Sequence, residues 1–312
     1  MSDTPEFFKK ADQFFQFYYE AKYSDALAAA EDVASEYPEK DAHTAFWLLC
    51  LQNMTGNSDA ALQTFRDALA RGVWWAESQL REDTDLATLQ GNQEFERLVS
   101  LSEQMHAQAE INAKPEISVC QPDGKGPFPL LIVLGPRGGY PELDLRDWSP
   151  VIKLGWMLAL PLSTQMASPL SHIWDDREKA LHEIVGHYER LIEEHPIDKD
   201  RIVIAGFSQG ATRAVELVMS RRLKVRGFFA VVPGSVDLAE LEGWSASGVG
   251  RGVLISGGRD SRYELFIQIK EVFERHHLPL LFENFPEMAH QIPSDFEPVL
   301  KRGFDFLLKD AE

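Results

Sequence analysis

The chain has 312 residues, enough for two domains of ordinary size, and its 44% of hydrophobic and 26% of charged residues are typical of a globular protein with a substantial core. A formal net charge of −18 at pH 7 argues against nucleic acid or an anionic membrane as a partner, because both would be repelled. The acidic excess thus favours a soluble protein and says nothing about the fold.

Three features of the sequence predict a cytoplasmic location. No apolar run reaches the about 18 residues of a membrane-spanning helix. The first residues lack the basic and apolar regions of a secretory signal. The two cysteines, Cys50 and Cys120, fall in a predicted helix and a predicted strand of different domains, which favours reduced thiols over a disulfide.

Residues 1–112 are predicted to form a helical domain. The tripeptide Ser-Asp-Ala opens the second helix of two successive helix pairs, at 24–26 and again 34 residues later at 58–60. This period resembles the tetratricopeptide family, although an unrelated helical bundle remains open. Two copies are fewer than a free-standing repeat stack needs, so we expect this domain to cover the catalytic pocket, to form a homodimer or to bind a protein partner.

Residues 113–312 are predicted to form an α/β domain with a mainly parallel sheet of about seven strands, because short apolar runs alternate with amphipathic helices. The predicted helices span 175–194, 208–221, 263–276 and 294–308. The predicted strands span 117–120, 130–134, 156–160, 202–205, 227–232, 253–255 and 280–283.

The stretch Gly-Phe-Ser-Gln-Gly at 206–210 lies between a predicted strand and a predicted helix. A strand that turns abruptly into a helix strains the backbone at the turn, and residues two positions away must then be small. Such a turn holds the serine hydroxyl at a helix N-terminus. Ser208 is therefore predicted to be a catalytic nucleophile.

A serine hydroxyl needs a base, and in this type of fold the acid and then the histidine follow the serine along the chain. Asp260 and His290 both follow predicted strands, at the edge of the sheet where Ser208 also lies. The rival acid Asp237 is better explained as a helix N-cap, and the rival His276 and His277 as the end of a helix.

The oxyanion of the reaction needs two N–H donors. Gln209, directly after the nucleophile, is predicted to supply one of them. The second is expected from the glycine-rich loop after the strand 130–134, where Pro136 has no N–H. Arg137 is the first choice there, and Gly138 is the alternative.

These motifs, together with "GGRD" and "AHQIP", resemble the phospholipase/carboxylesterase (acyl-protein thioesterase-like) family of α/β-hydrolases over about residues 115–310. The resemblance implies a Ser208–Asp260–His290 triad, with Gln209 and Arg137 as oxyanion donors. It also implies that Trp174 flanks the substrate. The sequence departs from the family in one place, since Gly135–Pro136 stand where the family usually has His-Gly.

We therefore expect a serine hydrolase that cleaves carboxylic esters of short to medium acyl chains, with no metal or organic cofactor. Tyr140 and Met288 are further candidates to line its acyl pocket. Two alternatives remain open from the sequence. One is a thioesterase or serine peptidase with the same triad, and the other is a helical binding module with a vestigial hydrolase.

Overall fold

The computed structural model describes residues 5–248 and 250–309, and the chain divides into a helical unit and an α/β unit. The helical unit takes the chain up to Ala113 together with the segment Met166–His172. The α/β unit takes Lys114–Gln165 and the chain from Ile173 onward. A single domain boundary after residue 112 places Met166–His172 in the α/β domain, whereas in the structure this short segment belongs to the helical unit.

The helical unit contains six α-helices, two short 3-10 segments and a small hairpin within the residues that the structure describes. The predicted helix pairs are present, since turns at 20–22 and 55–57 separate the helices of each pair. Its elements are α1 (Pro5–Tyr19), α2 (Tyr23–Glu36), α3 (Asp41–Met54), α4 (Ser58–Ala70), α5 (Glu77–Glu82) and α6 (Gln93–Glu110), the 3-10 segments Pro38–Lys40 and Thr84–Leu89, and the antiparallel strands β4 (Met166–Ser168) and β5 (Ser171–His172).

The two Ser-Asp-Ala copies differ in how their small residues pack. Ala26 is fully buried, whereas in the second copy Ala61, and not Ala60, takes the fully buried position. The difference arises because α4 begins one residue later than the 34-residue period implies, with the side chain of Asn57 accepting a hydrogen bond from the N–H of Ala60. The tetratricopeptide resemblance therefore stays a prediction, while the helical character of this region is confirmed.

The α/β unit is built on a seven-stranded sheet in the order β1-β3-β2-β6-β7-β8-β9, and only β1 runs antiparallel to its neighbour. Its strands are β1 (Glu116–Cys120), β2 (Phe128–Leu134), β3 (Met157–Leu162), β6 (Ile197–Phe207), β7 (Phe228–Val231), β8 (Gly252–Gly257) and β9 (Leu280–Phe285). Its helices are α7 (Pro141–Trp148), α8 (Pro150–Lys153), α9 (Arg177–Glu194), α10 (Gln209–Met219), α11 (Leu238–Ser245), α12 (Tyr263–Arg275) and α13 (Phe296–Leu308).

The predicted fold class is confirmed, and all seven strands of the sheet match a predicted strand. Strands β2, β7 and β8 are buried along their whole length, as parallel strands covered on both faces should be. The helices α7 and α8 were not predicted, because eight and four residues are too few to show a helical period.

The sheet register brings the carboxyl ends of five neighbouring strands together. Leu134 at the end of β2 pairs with Gly206, and Phe207 at the end of β6 pairs with Val231 at the end of β7. On the other side of β8, Gly257 pairs with Phe285 at the end of β9. The loops after β2, β6, β8 and β9 therefore leave the sheet at one edge.

None of the helices within residues 5–248 and 250–309 combines the length and the apolar character that a membrane span requires.

A buried acid supports the loop after β2. Asp144 in α7 is only 6% exposed, and a Cβ added to Gly135 would lie 2.5 Å from its Oδ2. Burial, together with the nearby charge of Asp147, raises the pKa of Asp144 well above its usual range. The native environment thus favours the neutral form of this carboxyl group.

The pKa of Asp144 predicts a pH-dependent stability. When folding raises the pKa of an acid, its contribution to the free energy of unfolding is fully present at a pH below the pKa of the unfolded state. This contribution is lost as the pH rises from that value to the pKa of the folded state. The loss should be about 1.4 kcal/mol per pH unit in that window. Asp144→Asn does not titrate, so its melting temperature relative to wild type should rise from pH 4 to pH 8.

Thermal melts of both proteins across this range test the prediction. Leu145→Ala, at an exposed and non-titrating position of the same helix, should give a difference that does not vary with pH. If the difference in melting temperature between Asp144→Asn and wild type were also independent of pH, the pKa of Asp144 would not be raised by folding.

Candidate active site

Ser208 occupies the sharp turn between β6 and α10. Its backbone has φ of 54° and ψ of −117°, a conformation that costs a non-glycine residue on the order of 1–3 kcal/mol. A Cβ at Gly206 would collide with the backbone of Gly210, and one at Gly210 would collide with the carbonyl oxygen of Leu134. The two glycines are therefore required by the close approach of β2, β6 and α10.

Two hydrogen bonds join Ser208, His290 and Asp260. Nε2 of His290 lies 2.8 Å from Oγ of Ser208, and Nδ1 of His290 lies 2.6 Å from Oδ2 of Asp260. The other carboxylate oxygen of Asp260 accepts a hydrogen bond of 2.8 Å from the N–H of Arg262. The geometry thus connects the three residues in the order serine, imidazole, carboxylate.

Asp260 is 5% exposed, yet its pKa is lowered. Burial alone would raise this pKa, but the hydrogen bonds from His290 and from the Arg262 N–H, and the charges of both residues, outweigh the effect of burial. The environment therefore favours the ionised carboxylate, which is the form that can orient an imidazole and stabilise its positive charge.

The loop that carries His290 passes directly over the end of β8. A Cβ at Gly257 would lie 2.5 Å from the carbonyl oxygen of Ala289 and 2.6 Å from that of Met288, and one at Gly258 would lie 2.6 Å from the carbonyl oxygen of Pro286. The ring of His290 also packs against Phe207, with 5.2 Å between the ring centroids. In the sequence the glycine pair is visible only as part of the motif Gly-Gly-Arg-Asp, and its physical reason lies in this close approach of the backbone.

The rival residues have other partners. The carboxylate of Asp237 accepts hydrogen bonds from the N–H groups of Ala239 and Glu240, so the predicted N-cap of α11 is present. His276 follows the last residue of α12, and its Nε2 lies 2.7 Å from Oε1 of Glu242. Neither residue is joined to Ser208 by these contacts.

The residues predicted as oxyanion donors lie on adjacent elements. Gln209 is the first residue of α10, where backbone N–H groups have no partner within the helix. In the loop after β2, the N–H of Gly139 donates to the carbonyl oxygen of Pro136, and Gly138 has φ of 74°. Arg137 and Gly138 are the two central residues of this tight turn.

The three residues predicted to contact substrate are all buried. Trp174 is 2% exposed and donates its indole N–H to the carbonyl oxygen of Gly135, at 3.2 Å. Tyr140, directly before α7, and Met288, in the loop that carries His290, are 9% and 6% exposed. Substrate contact by these three side chains stays a prediction, and the sequence did not reveal that Trp174 supports the loop after β2.

One group of residues in the helical unit brings thiol and carboxylate groups together. Ligand atoms of Cys50, Asp83 and Asp85 lie within 4.8 Å of one another. The carboxylate of Asp85 accepts a hydrogen bond from the hydroxyl of Tyr18, and burial raises the pKa of the Cys50 thiol well above its usual value. Cys50 and Asp85 are thus part of the packing of the helical unit.

Comparison with protein families gives two matches. Residues 166–296 match the phospholipase/carboxylesterase family, and residues 7–110 match the A/B hydrolase-like N-terminal domain. The second match covers most of the helical region that precedes the α/β unit. No curated protein matches the chain.

Among solved structures, an uncharacterized protein from Bacillus cereus ATCC 10987 is similar over 95% of this chain and 96% of its own, with 22% identity and a TM-score of 0.53. FphF, a fluorophosphonate-binding serine hydrolase of Staphylococcus aureus, is similar over 62% of this chain and 92% of its own, with 14% identity and a TM-score of 0.51. Esterase PE8 is similar over 61% and 97%, with 15% identity and a TM-score of 0.51. These likenesses support the fold, and the family matches support a hydrolase: residues 166–296 are similar to phospholipases and carboxylesterases, and residues 7–110 are similar to the N-terminal domain of A/B hydrolase-like proteins.

Proposed function

We propose that this protein is a carboxylesterase in which Ser208, His290 and Asp260 form the catalytic triad. The observation that carries the proposal is the continuous hydrogen-bonded path from the Ser208 hydroxyl through His290 to the buried Asp260, with heavy-atom distances of 2.8 and 2.6 Å. A nucleophile, a base and an orienting acid at these distances are the minimal equipment for acyl transfer.

In the acylation step, the Ser208 hydroxyl donates its proton to Nε2 of His290 while Oγ attacks the ester carbonyl carbon. Nδ1–H of His290 donates to Asp260, which stabilises the imidazolium. The imidazolium then gives its proton to the leaving alcohol, and the carbon–oxygen bond of the ester breaks. In deacylation a water gives a proton to Nε2 of His290 and its oxygen attacks the acyl carbon; the bond between that carbon and Oγ of Ser208 breaks, the imidazolium returns the proton to Oγ, and the acyl group leaves as a carboxylic acid.

The negative charge on the carbonyl oxygen needs donors that are in position beforehand. The backbone N–H groups of Gln209 and Arg137 are proposed for this role. Support comes from the N-terminal position of Gln209 on α10, and from the position of Arg137 in the tight turn after β2, which is closed by the hydrogen bond from the Gly139 N–H to the Pro136 carbonyl oxygen.

Esters of short to medium acyl chains are proposed as substrates. Among the described residues between β7 and β8, α11 is the only helix, so that no cap domain is inserted at that point of the sheet. Initial rates on p-nitrophenyl esters of increasing chain length test this preference, with acyl thioesters and peptide anilides as competing substrate classes.

Ser208→Ala should lower kcat on p-nitrophenyl acetate by on the order of a millionfold, because the base and acid have no function without the nucleophile. Labelling by a fluorophosphonate probe should disappear with it. Ser220→Ala, at the other end of α10, should retain both. A Ser208→Ala protein that keeps a tenth of the wild-type rate would refute the proposal.

Asp260→Asn should lower kcat by about 10⁴-fold while leaving a folded protein, because an amide favours the wrong tautomer of His290. The matched control is Asp237→Asn, which alters a helix cap outside the triad and should keep nearly full kcat. If Asp237→Asn caused the larger loss, the acid would be assigned wrongly.

Gly257→Ala should lower kcat by about ten- to a hundredfold, because its Cβ would displace the carbonyl groups of Met288 and Ala289 and move His290. The control is Gly186→Ala in α9, where an added Cβ meets no atom within 4 Å. Steady-state kinetics of both variants decide the point, and equal activities would show that the His290 loop tolerates displacement.

A further inference from the structure

One carboxylate connects the side chains of the two proposed oxyanion donors. The guanidinium of Arg137 donates from Nη2 to Oδ2 of Asp175 at 2.8 Å, and the amide of Gln209 donates from Nε2 to Oδ1 of Asp175 at 2.7 Å. Arg137 lies in the loop after β2, whereas Gln209 begins α10. Asp175 therefore bridges the two elements whose backbone N–H groups would hold the oxyanion.

The segment around Asp175 is itself attached to both elements. The N–H of Trp174 donates to Oε1 of Gln209 at 2.8 Å, and its indole N–H donates to the carbonyl oxygen of Gly135. The carbonyl oxygen of Trp174 accepts from the guanidinium of Arg213 in α10, at 2.9 Å from Nη2. The bridge thus consists of a fixed backbone segment and a carboxylate that uses both of its oxygens.

We infer that Asp175 is a positioning residue that sets the spacing between the Arg137 and Gln209 backbone donors, an inference that rests on the proposed function. Donors of this kind accelerate a reaction only when they are fixed where the charge develops. The close contact of Gly210 with Leu134 and the hydrogen bonds of Trp174 already hold the turn and the helix N-terminus together, and Asp175 adds a link between the side chains of the two donor residues themselves.

The exposure of the bridge argues for positioning rather than for stability. The side chains of Arg137 and Asp175 are 30% and 28% exposed, and ion pairs this accessible contribute little to folding. Replacing Asp175 should therefore leave the fold intact while changing the rate. The negative charge of the carboxylate is offset by Arg137, so that it does not oppose the charge on the substrate oxygen.

Asp175→Ala should lower kcat on p-nitrophenyl acetate by about ten- to a hundredfold, with KM changed less than about threefold, because a displaced donor weakens the transition state more than the bound ester. Asp175→Asn should lie between Ala and wild type, since its amide keeps only one acceptor oxygen. The matched control is the neighbouring Asp176→Ala, which removes the cap of α9 and should lower Tm while leaving kcat unchanged.

A second measurement separates positioning from a merely structural role. A trifluoromethyl ketone adds to the serine and leaves an oxyanion in the same site. Its inhibition constant should rise in proportion to the loss of kcat/KM across the Asp175 variants. The double variant Arg137→Ala/Asp175→Ala should lose less kcat/KM than the product of the two single losses, because both substitutions remove the same ion pair.

The outcomes distinguish the two proposals. An inactive Ser208→Ala protein together with an Asp175→Ala protein of full kcat and unchanged inhibitor affinity would overturn the bridge alone. Activity retained by Ser208→Ala would overturn the triad, and the bridge with it. A loss of kcat by Asp176→Ala as large as that by Asp175→Ala would also overturn the bridge, since the effect would then follow from the stability of the segment.

Discussion

The whole site depends on the contact between the backbone of α10 and the carboxyl end of β2. Only glycine fits at position 210, because any Cβ there would collide with the carbonyl oxygen of Leu134. Gly206, near the end of β6, meets a similar restriction, because a Cβ there would collide with the backbone of Gly210. Without side chains between them, the nucleophile turn and the loop after β2 lie in direct contact, and the donors proposed for the oxyanion come from the two sides of that contact.

Three carboxyl groups surround this contact in three different environments. Asp260 is buried but accepts hydrogen bonds from His290 and from a backbone N–H, and its pKa is lowered. Asp144 is buried beneath Gly135, and its pKa is raised. Asp175 is partly exposed and paired with Arg137. The environments thus favour the ionised form of Asp260, next to the base His290, and the neutral form of Asp144, beneath the loop that would receive the oxyanion. This separation suits a reaction in which negative charge develops at that loop.

The sequence predicted the elements that depend on local patterns. A buried parallel strand appears as a short apolar run, and the turn at Ser208 needs glycines at fixed positions, so the sheet and the path from Ser208 to His290 and Asp260 were both foreseen. What the sequence did not indicate depends on contacts between distant segments. Asp144 looks like any acid in the first turn of a helix.

Gly257 offers a similar lesson, since its need for space comes from carbonyl groups about thirty residues later in the chain. The excursion of Met166–His172 into the helical unit was equally invisible, since a strand of three residues and one of two have no periodicity to detect.

The two ends of this excursion are joined within the α/β unit. Gln165 and Ile173, on either side of it, are joined by a hydrogen bond of 2.9 Å from the Ile173 N–H to the Gln165 carbonyl oxygen. The side chain of Gln165 also accepts from the N–H of Asp176 at 2.6 Å and donates to the carbonyl oxygen of Asp176 at 3.1 Å. The base of the excursion is therefore closed by contacts within the α/β unit. Asp175 lies between Ile173 and Asp176, the two residues that are hydrogen-bonded to Gln165, and its carboxylate is held by Arg137 and Gln209.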